Sequence, residues 1–156
     1  MSRGRTLLAL VLIATSGTSV AWSATRTGTN GNDVIHGTSG ADRIVGRAGN
    51  DRLYGRGGKD VINGGSGNDL IAGDAGNDTL TGGRGADTLL GGSGNDKIYA
   101  ATRNDRRDTI AAGAGNDSVQ ARDGSFDQIS CGPGRDVVRA DRGDRVADDC
   151  ERVARG

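Results

Sequence analysis

At 156 residues the chain has the length of one domain, but only 33% of its residues are hydrophobic and 3% aromatic, against roughly 45–50% apolar in ordinary globular domains. With 29 glycines as well, these proportions exclude a conventional apolar core, so bound metal, a disulfide or stacked repeats must hold the chain together. The formal net charge is zero, and Arg alternates with Asp without basic runs or aromatic platforms, which argues against a nucleic-acid-binding protein.

Residues 1–24 have the pattern of a secretory signal peptide. Arg3 and Arg5 make the amino-terminal segment positive, an apolar stretch follows, and small residues provide a cleavage site at about positions 21–24. The apolar stretch is shorter than the roughly 20 residues that a membrane-spanning helix needs. We therefore expect a secreted, extracellular protein whose mature form has no transmembrane segment and begins its repeats after a linker at residues 25–27.

Residues 28–99 consist of eight consecutive nine-residue units without insertion or deletion, from GTNGNDVIH to GGSGNDKIY. Four positions of the unit are constant in type, which a merely Gly- and Asp-rich composition would not produce. Glycine occupies position 1 at Gly28, Gly37, Gly46, Gly55, Gly64, Gly73, Gly82 and Gly91. Glycine occupies position 4 at Gly31, Gly40, Gly49, Gly58, Gly67, Gly76, Gly85 and Gly94. Position 6 is always Asp, position 8 is always Ile or Leu, and the other five positions vary.

Each unit is predicted to form a turn followed by a short strand. Glycine at position 4 readily adopts positive φ and is followed by Asn or Asp in most units, which is typical of turns. Positions 7–9 are predicted to form a minimal strand in which position 8 faces inward and its two neighbours face water. Two units then complete a coil of eighteen residues, and successive coils pair as parallel strands about 4.8 Å apart. The predicted fold class is all-β.

A stack with this period places the position-6 carboxylates of alternate units above one another. One edge carries Asp33, Asp51, Asp69 and Asp87, and the opposite edge carries Asp42, Asp60, Asp78 and Asp96. Carboxylates at this spacing repel unless they are neutralised, and the neighbouring glycine-rich turns expose carbonyl oxygens. Since Ca²⁺ accepts six to eight oxygen ligands in flexible geometry while Mg²⁺ requires a stricter octahedron, the ligand type favours calcium.

The unit resembles the calcium-binding nonapeptide G-G-x-G-x-D-x-U-x of the RTX, or hemolysin-type, family. The resemblance implies a parallel β-roll, a right-handed β-solenoid with two sheets of short strands and calcium-binding turns along both edges. Each ion would lie between turns one coil apart, held by Asp carboxylates and by carbonyls of the position-1 and position-4 glycines. Asp33 would share an ion with Asp51, and Asp42 with Asp60, so the regular block would hold about six Ca²⁺ ions.

Residues 100–139 continue the repeat in degenerate form, and residues 140–156 are expected to cap it. If the stack continues, Asp87 pairs with Asp108, Asp96 with Asp117, Asp108 with Asp127, and Asp117 with Asp136, which adds further ions. Asp117 and Asp136 lie in nearly regular units. Asp108 and Asp127 are the less secure ligands of the four, because lost glycines or an inserted residue disturb their turns.

Cys131 and Cys150 are the only cysteines, and in an exported chain they predict a disulfide that stabilises the cap by roughly 3 kcal/mol. A zinc site is disfavoured because His36 is the only histidine and is remote in sequence. His36, Tyr54 and Tyr99 all occupy the outward-facing position 9. Packing on the solvent side is the expected role of the two tyrosines, and stacking against a sugar is the alternative.

The sequence contains no P-loop, nucleophile-elbow or EF-hand pattern, and its carboxylates are committed to metal, so a non-enzymatic protein is predicted. The first hypothesis is a secreted calcium-binding protein whose repeats fold into a β-roll when Ca²⁺ binds. The alternative is a calcium-dependent surface adhesion or polysaccharide-binding module, with an extracellular polysaccharide or cell surface as its partner. Family members usually carry a toxin, protease or lipase domain before the repeats. No such domain is expected here, so those activities are not transferred.

Overall fold

The computed structural model describes residues 23–101 and 106–156, which form fifteen strands and no helix. The predicted signal peptide lies outside the described residues except for its last two. The strands are β1 Thr25–Thr27, β2 Val34–His36, β3 Arg43–Ala48, β4 Arg52–Tyr54, β5 Val61–Ser66, β6 Leu70–Ala75, β7 Thr79–Arg84, β8 Thr88–Ser93, β9 Lys97–Ala101, β10 Thr109–Ala114, β11 Ser118–Ala121, β12 Gln128–Ser130, β13 Val137–Ala140, β14 Arg145–Val146 and β15 Arg152–Arg155.

Odd-numbered and even-numbered strands form two separate parallel sheets. The eight odd strands pair in the order β1-β3-β5-β7-β9-β11-β13-β15, and the seven even strands in the order β14-β12-β10-β8-β6-β4-β2. Because each strand pairs with the next but one in sequence, the chain winds as a solenoid. This confirms the predicted parallel β-roll.

The register shows how the degenerate units are accommodated. In the regular block Ile44 pairs with Ile62, one eighteen-residue coil away. Ile98 pairs instead with Val119, because the coil between them is longer. The inward-facing position nevertheless stays in register, so the extra residues are absorbed in the turns and the strand pairing continues.

The core is a single file of apolar side chains from each sheet. Position 8 supplies Ile44, Leu53, Ile62, Ile71, Leu80, Leu89 and Ile98, all 0% exposed. Ile110, Val119, Ile129 and Val138 continue the two files through the degenerate units. The prediction that position 8 faces inward is therefore confirmed, and position 7 is exposed at Val34 and Val61.

Beyond Tyr99 a second set of buried side chains joins the core. Residues that follow position 9 of each coil, where the regular block has its position-1 glycine, are now Ala or Cys and are buried. They are Ala100, Ala112, Ala121, Cys131 and Ala140. The carboxyl-terminal coils thus bury apolar side chains at a position where the regular block has none.

Several strands are longer than the sequence predicts. β5, for example, covers positions 7–9 of one unit and positions 1–3 of the next. The pairing continues past position 9 because the backbone there still bonds to the adjacent coil, as Gly49 N–H does to the Ser66 carbonyl oxygen at 2.9 Å. The turn is therefore tighter than a six-residue turn and is concentrated at positions 4–6.

Position 4 shows why the turn needs glycine. Gly67 has φ +122°, and a Cβ added to it would lie 2.1 Å from the Gly49 carbonyl oxygen of the preceding coil. An L side chain would be strained there and would also push adjacent coils apart. Gly31 occupies the same position in the first unit but does not have a positive φ. The atom nearest to a Cβ added to Gly31 is Thr29 Oγ1, at 3.8 Å.

This contrast gives a matched pair of substitutions. Gly67→Ala should destabilise the folded chain by at least about 1–3 kcal/mol, the usual cost of a side chain in a disfavoured φ region, with the backbone clash added to it. Gly31→Ala should change stability little. Denaturant unfolding in saturating calcium, followed by far-UV circular dichroism, measures both variants. Equal midpoints for the two variants would contradict the assigned turn geometry.

Candidate metal centre

The position-6 aspartates form two rows, one along each edge of the roll. From Asp42 onward, each carboxylate is tied to the coil before it by a hydrogen bond from backbone N–H to Oδ1. The Asp51 N–H donates to Asp69 Oδ1 at 2.8 Å, and the Asp60 N–H donates to Asp78 Oδ1 at 2.8 Å. The turn residues of one coil thus fix the carboxylate of the next.

The same bond links every pair of aspartates that the sequence places one coil apart. In the regular block it joins Asp33 to Asp51 and Asp42 to Asp60. In the degenerate units it joins Asp87 to Asp108, Asp96 to Asp117, Asp108 to Asp127 and Asp117 to Asp136, at 2.7–2.8 Å. The inserted residues therefore leave the two rows continuous.

The carboxylates are buried and their hydrogen bonding is incomplete. Asp51, Asp60 and Asp69 are 0–3% exposed. Within the described part of the chain, one oxygen of each row member named here is buried without a hydrogen-bond partner: Oδ2 of Asp51, Asp60, Asp69, Asp78, Asp96, Asp117, Asp127 and Asp136. A buried ionised oxygen without a partner is costly, so these atoms require a cation or a proton.

In the regular block, position-1 glycine places no side chain beside these oxygens. A Cβ added to Gly64 would lie 2.3 Å from Asp69 Oδ2 and 2.6 Å from the Gly82 carbonyl oxygen. The space that a side chain would fill is thus bordered by a carboxylate oxygen of the same unit and a carbonyl oxygen of the next coil. The carboxylate oxygen and the carbonyl oxygen are both acceptors and cannot hydrogen-bond to each other. Together they suit a cation that prefers oxygen ligands, such as Ca²⁺.

Position-4 glycines contribute a different row of oxygens. The Gly49 carbonyl oxygen lies against Gly67, its counterpart one coil on, as the blocked Cβ position shows. Gly58 and Gly76 are related in the same way. Position-1 carbonyls therefore border the carboxylates, while position-4 carbonyls face the next position-4 glycine.

The first coil closes its turns in another way. Asp33 Oδ2 accepts hydrogen bonds from the Thr29 N–H at 2.6 Å and from Thr29 Oγ1 at 3.0 Å. Asp42 Oδ2 accepts from the Thr38 N–H and from Thr38 Oγ1. These two predicted ligands therefore carry hydrogen bonds on Oδ2, the oxygen that has no hydrogen-bond partner in Asp51 and Asp60. Thr at position 2 was the sequence signal for this difference.

Asparagines at position 5 form a hydrogen-bonded ladder. The ladder was not predicted, although the sequence has Asn at this position in most units. The Asn50 N–H donates to Asn32 Oδ1 at 2.7 Å, and the Asn68 N–H donates to Asn50 Oδ1 at 2.8 Å. These bonds run from a later coil to an earlier one, opposite in direction to the aspartate bonds. Adjacent coils are therefore held by two opposed side-chain ladders one residue apart.

Two acidic residues that were not predicted as ligands end the aspartate rows. The Asp136 N–H donates to Glu151 Oε2 at 2.8 Å, and the Asp127 N–H donates to Asp144 Oδ1 at 3.0 Å. Glu151 is the only glutamate in the chain. Beside it the predicted disulfide joins Cys131 to Cys150, which confirms that prediction and leaves no free cysteine among the described residues.

Burial raises the pKa of several row members. Desolvation, reinforced by the carboxylates of Asp60 and Asp96, raises the pKa of Asp78 to about 7, against a lowering by the hydrogen bond from Asp60. Burial likewise raises the pKa of Asp69 and Asp117 to about 6. Without a cation, protons are therefore held far more tightly here than on an ordinary aspartate.

Sequence comparison identifies the repeat. The model of a family described as the RTX calcium-binding nonapeptide repeat matches in four copies, over residues 27–62, 36–71, 63–98 and 102–125. These ranges cover more than half of the 156 residues. No curated protein sequence matches the chain significantly.

The raised pKa values predict how the metal-free chain responds to pH. Carboxyls whose folded pKa is raised bind protons more tightly when folded, so their stabilisation is fully present below the unfolded pKa of about 4 and is lost as pH rises through about 6–7. In excess chelator the β signal in far-UV circular dichroism should be larger at pH 4.5 than at pH 8. A signal that grows with pH in chelator would contradict this assignment.

Proposed function

The chain belongs to the RTX calcium-binding nonapeptide repeat family, and from that premise we propose that it is a secreted, non-enzymatic protein whose repeats fold into the β-roll when Ca²⁺ binds. Family membership and fold together make it a calcium-binding β-roll protein. Secretion, the absence of catalysis, the ligand residues and the coupling of folding to calcium are the proposal.

The observation that carries the proposal is the row of buried Oδ2 atoms without hydrogen-bond partners. Ionised carboxylates about 4.8 Å apart, the spacing of adjacent coils, repel by roughly 3 kcal/mol per pair at an effective dielectric of 20. A row of such pairs exceeds the roughly 5–15 kcal/mol of net stability that a domain has. At neutral pH the coils therefore need a bound cation in order to stay stacked.

Aspartates one coil apart are the proposed ligands, together with position-1 carbonyl oxygens. Asp51 with Asp69 and Asp60 with Asp78 are the best supported pairs, because the Oδ2 atoms of all four are buried and unpaired. Asp33 and Asp42 are weaker ligands, because Thr29 and Thr38 already donate to them. When bound, Ca²⁺ supplies the positive charge that these oxygens lack.

Secretion is supported by two independent features. The pattern of residues 1–24 is that of a cleaved signal peptide, and the disulfide between Cys131 and Cys150 is typical of an oxidising compartment. In the described residues no helix is long and apolar enough to cross a membrane. Extracellular calcium modules commonly bind in the 10⁻⁴–10⁻³ M range, which suits a protein that folds after export.

The states of the cysteines, of the histidine and of the buried aspartates support a non-enzymatic role. Both cysteines are consumed by the disulfide, and the single histidine, His36, is exposed and stacks on Tyr54 with ring centroids 4.8 Å apart. The buried aspartates lie in the two rows, where the proposed role is metal binding.

Calcium titration of Asp69→Asn tests the ligand assignment. Asp69 lies between Asp51 and Asp87, so this variant should weaken the binding of two ions and move the calcium midpoint of folding at least tenfold higher. Asp148→Asn is the control, since Asp148 is exposed and outside both rows. Far-UV circular dichroism and equilibrium dialysis provide the readouts. If the wild-type β signal is identical in calcium and in excess chelator at pH 8, the proposed coupling is wrong.

A calcium-dependent polysaccharide-binding module is the second candidate, supported by aromatic rings on the outer faces. His36 and Tyr54 stack there, and Tyr99 is 42% exposed. A glycan array with and without calcium separates the candidates. Saturable binding to one glycan class that disappears in Tyr54→Ala and Tyr99→Ala would support this candidate, whereas no binding at all would leave the structural calcium-binding role.

A further inference from the structure

A third carboxylate joins the aspartate row at the irregular unit formed by residues 121–130. Asp123 precedes the position-6 aspartate of that unit, Asp127, and belongs to the stretch that carries the extra residue. One ligand oxygen from each of Asp108, Asp123 and Asp127 can be chosen so that all three lie within 4.8 Å of one another. Three carboxylates therefore meet where the regular turns bring together two.

Ser125 fixes two of these carboxylates in orientation. Its N–H and Oγ each lie 2.7 Å from Asp123 Oδ1, and its Oγ lies 2.9 Å from Asp127 Oδ1. Asp127 Oδ1 also accepts the Asp108 N–H at 2.8 Å. The Oδ1 atoms are thus engaged, and ligand binding falls to the Oδ2 atoms.

The Oδ2 atoms point to a missing ligand. Asp127 is only 1% exposed, and its Oδ2 is buried without a hydrogen-bond partner among the described residues. Asp123 Oδ2 is likewise buried and without a partner in that part of the chain. Two such oxygens beside a third carboxylate need positive charge.

The surrounding groups increase that need. The Asp123 and Gly124 N–H groups donate to Asp141 Oδ2 at 2.9 and 2.7 Å, which brings another carboxylate close to this turn. Arg107 Nε and the Arg122 guanidinium instead donate to main-chain carbonyl oxygens, of Phe126 and of Ala140 and Ala154 respectively.

The glycine that opens the regular sites is absent here. Ala121, which pairs with Ala140, stands where the regular unit has position-1 glycine and is 1% exposed. A site at this turn must therefore take its oxygens from side chains, and Asp123 supplies the additional one.

We propose that Asp123 adds a third carboxylate to the turn site of Asp108 and Asp127, so that these three residues bind one divalent calcium ion with more charge than the two aspartates of a regular nonapeptide site supply. The inference rests on the proposed function in so far as the chain binds calcium, but Asp123 is not part of the repeat motif. Because calcium affinity rises with the number of charged ligands, this site fills before the regular ones.

Calcium stoichiometry of the full chain tests the site with two isosteric variants. Asp123→Asn keeps the Oδ1 acceptor for Ser125 and should lose one ion, the one bound most tightly in a chelator competition. Asp127→Asn should lose the same ion, and the double variant no more than that ion. Asp148→Asn, which removes a nearby exposed charge, should lose none. Circular dichroism in saturating calcium verifies that each variant folds.

The outcomes distinguish this site from the general proposal. If Asp123→Asn keeps every ion with unchanged affinities while Asp69→Asn loses ions, the three-carboxylate site is wrong and the regular sites stand. If Asp123→Asn and Asp127→Asn lose different ions, the shared site is also wrong. If the wild-type chain binds no calcium, both proposals fail.

Discussion

The structure depends on the stacking of like charges. Buried aspartates such as Asp69 and Asp78 accept a hydrogen bond from the backbone of the coil before them, which fixes the turn but engages only one of the two carboxylate oxygens. The second oxygen lies beside the position-1 glycine of its own unit, at a space that a carbonyl oxygen of the following coil also borders. Winding the chain into a roll therefore collects negative charge in two lines, and the tightness of the winding is what makes a counter-ion necessary.

Hydrogen bonds between side chain and backbone also fix the register. Parallel strands of so few residues present little pattern to set their alignment, and a slip of one residue would turn Ile62 or Leu80 toward water. In the aspartate bonds an N–H of the earlier coil donates to a side chain of the later one, and in the asparagine bonds an N–H of the later coil donates to a side chain of the earlier one. Because each ladder connects equivalent residues of adjacent coils, a shift of the strand register in either direction would break both ladders.

The period of the sequence predicts most of the fold and much of the candidate site. The constant Asp and the constant Ile or Leu each recur every nine residues. This period is enough to infer parallel coils, the inward-facing position and the adjacency of pairs such as Asp51 and Asp69. What the period could not predict depends on turn conformation: the extension of β5 into the next unit, the Thr29 bonds to Asp33, and the asparagine ladder. Glu151 and Asp123 lie outside the repeat, so only the three-dimensional path of the degenerate coils brings them to the rows.

The replacement of position-1 glycine by Ala and Cys gives the roll a direction. A stack in which each layer contacts only its neighbours behaves as a one-dimensional lattice, whose ordering begins at the layer that loses least entropy. The closed loop between Cys131 and Cys150 and the buried methyl groups of Ala121 and Ala140 make the carboxyl-terminal layers that starting point. The same constraints favour ordering that spreads from these layers toward the amino terminus.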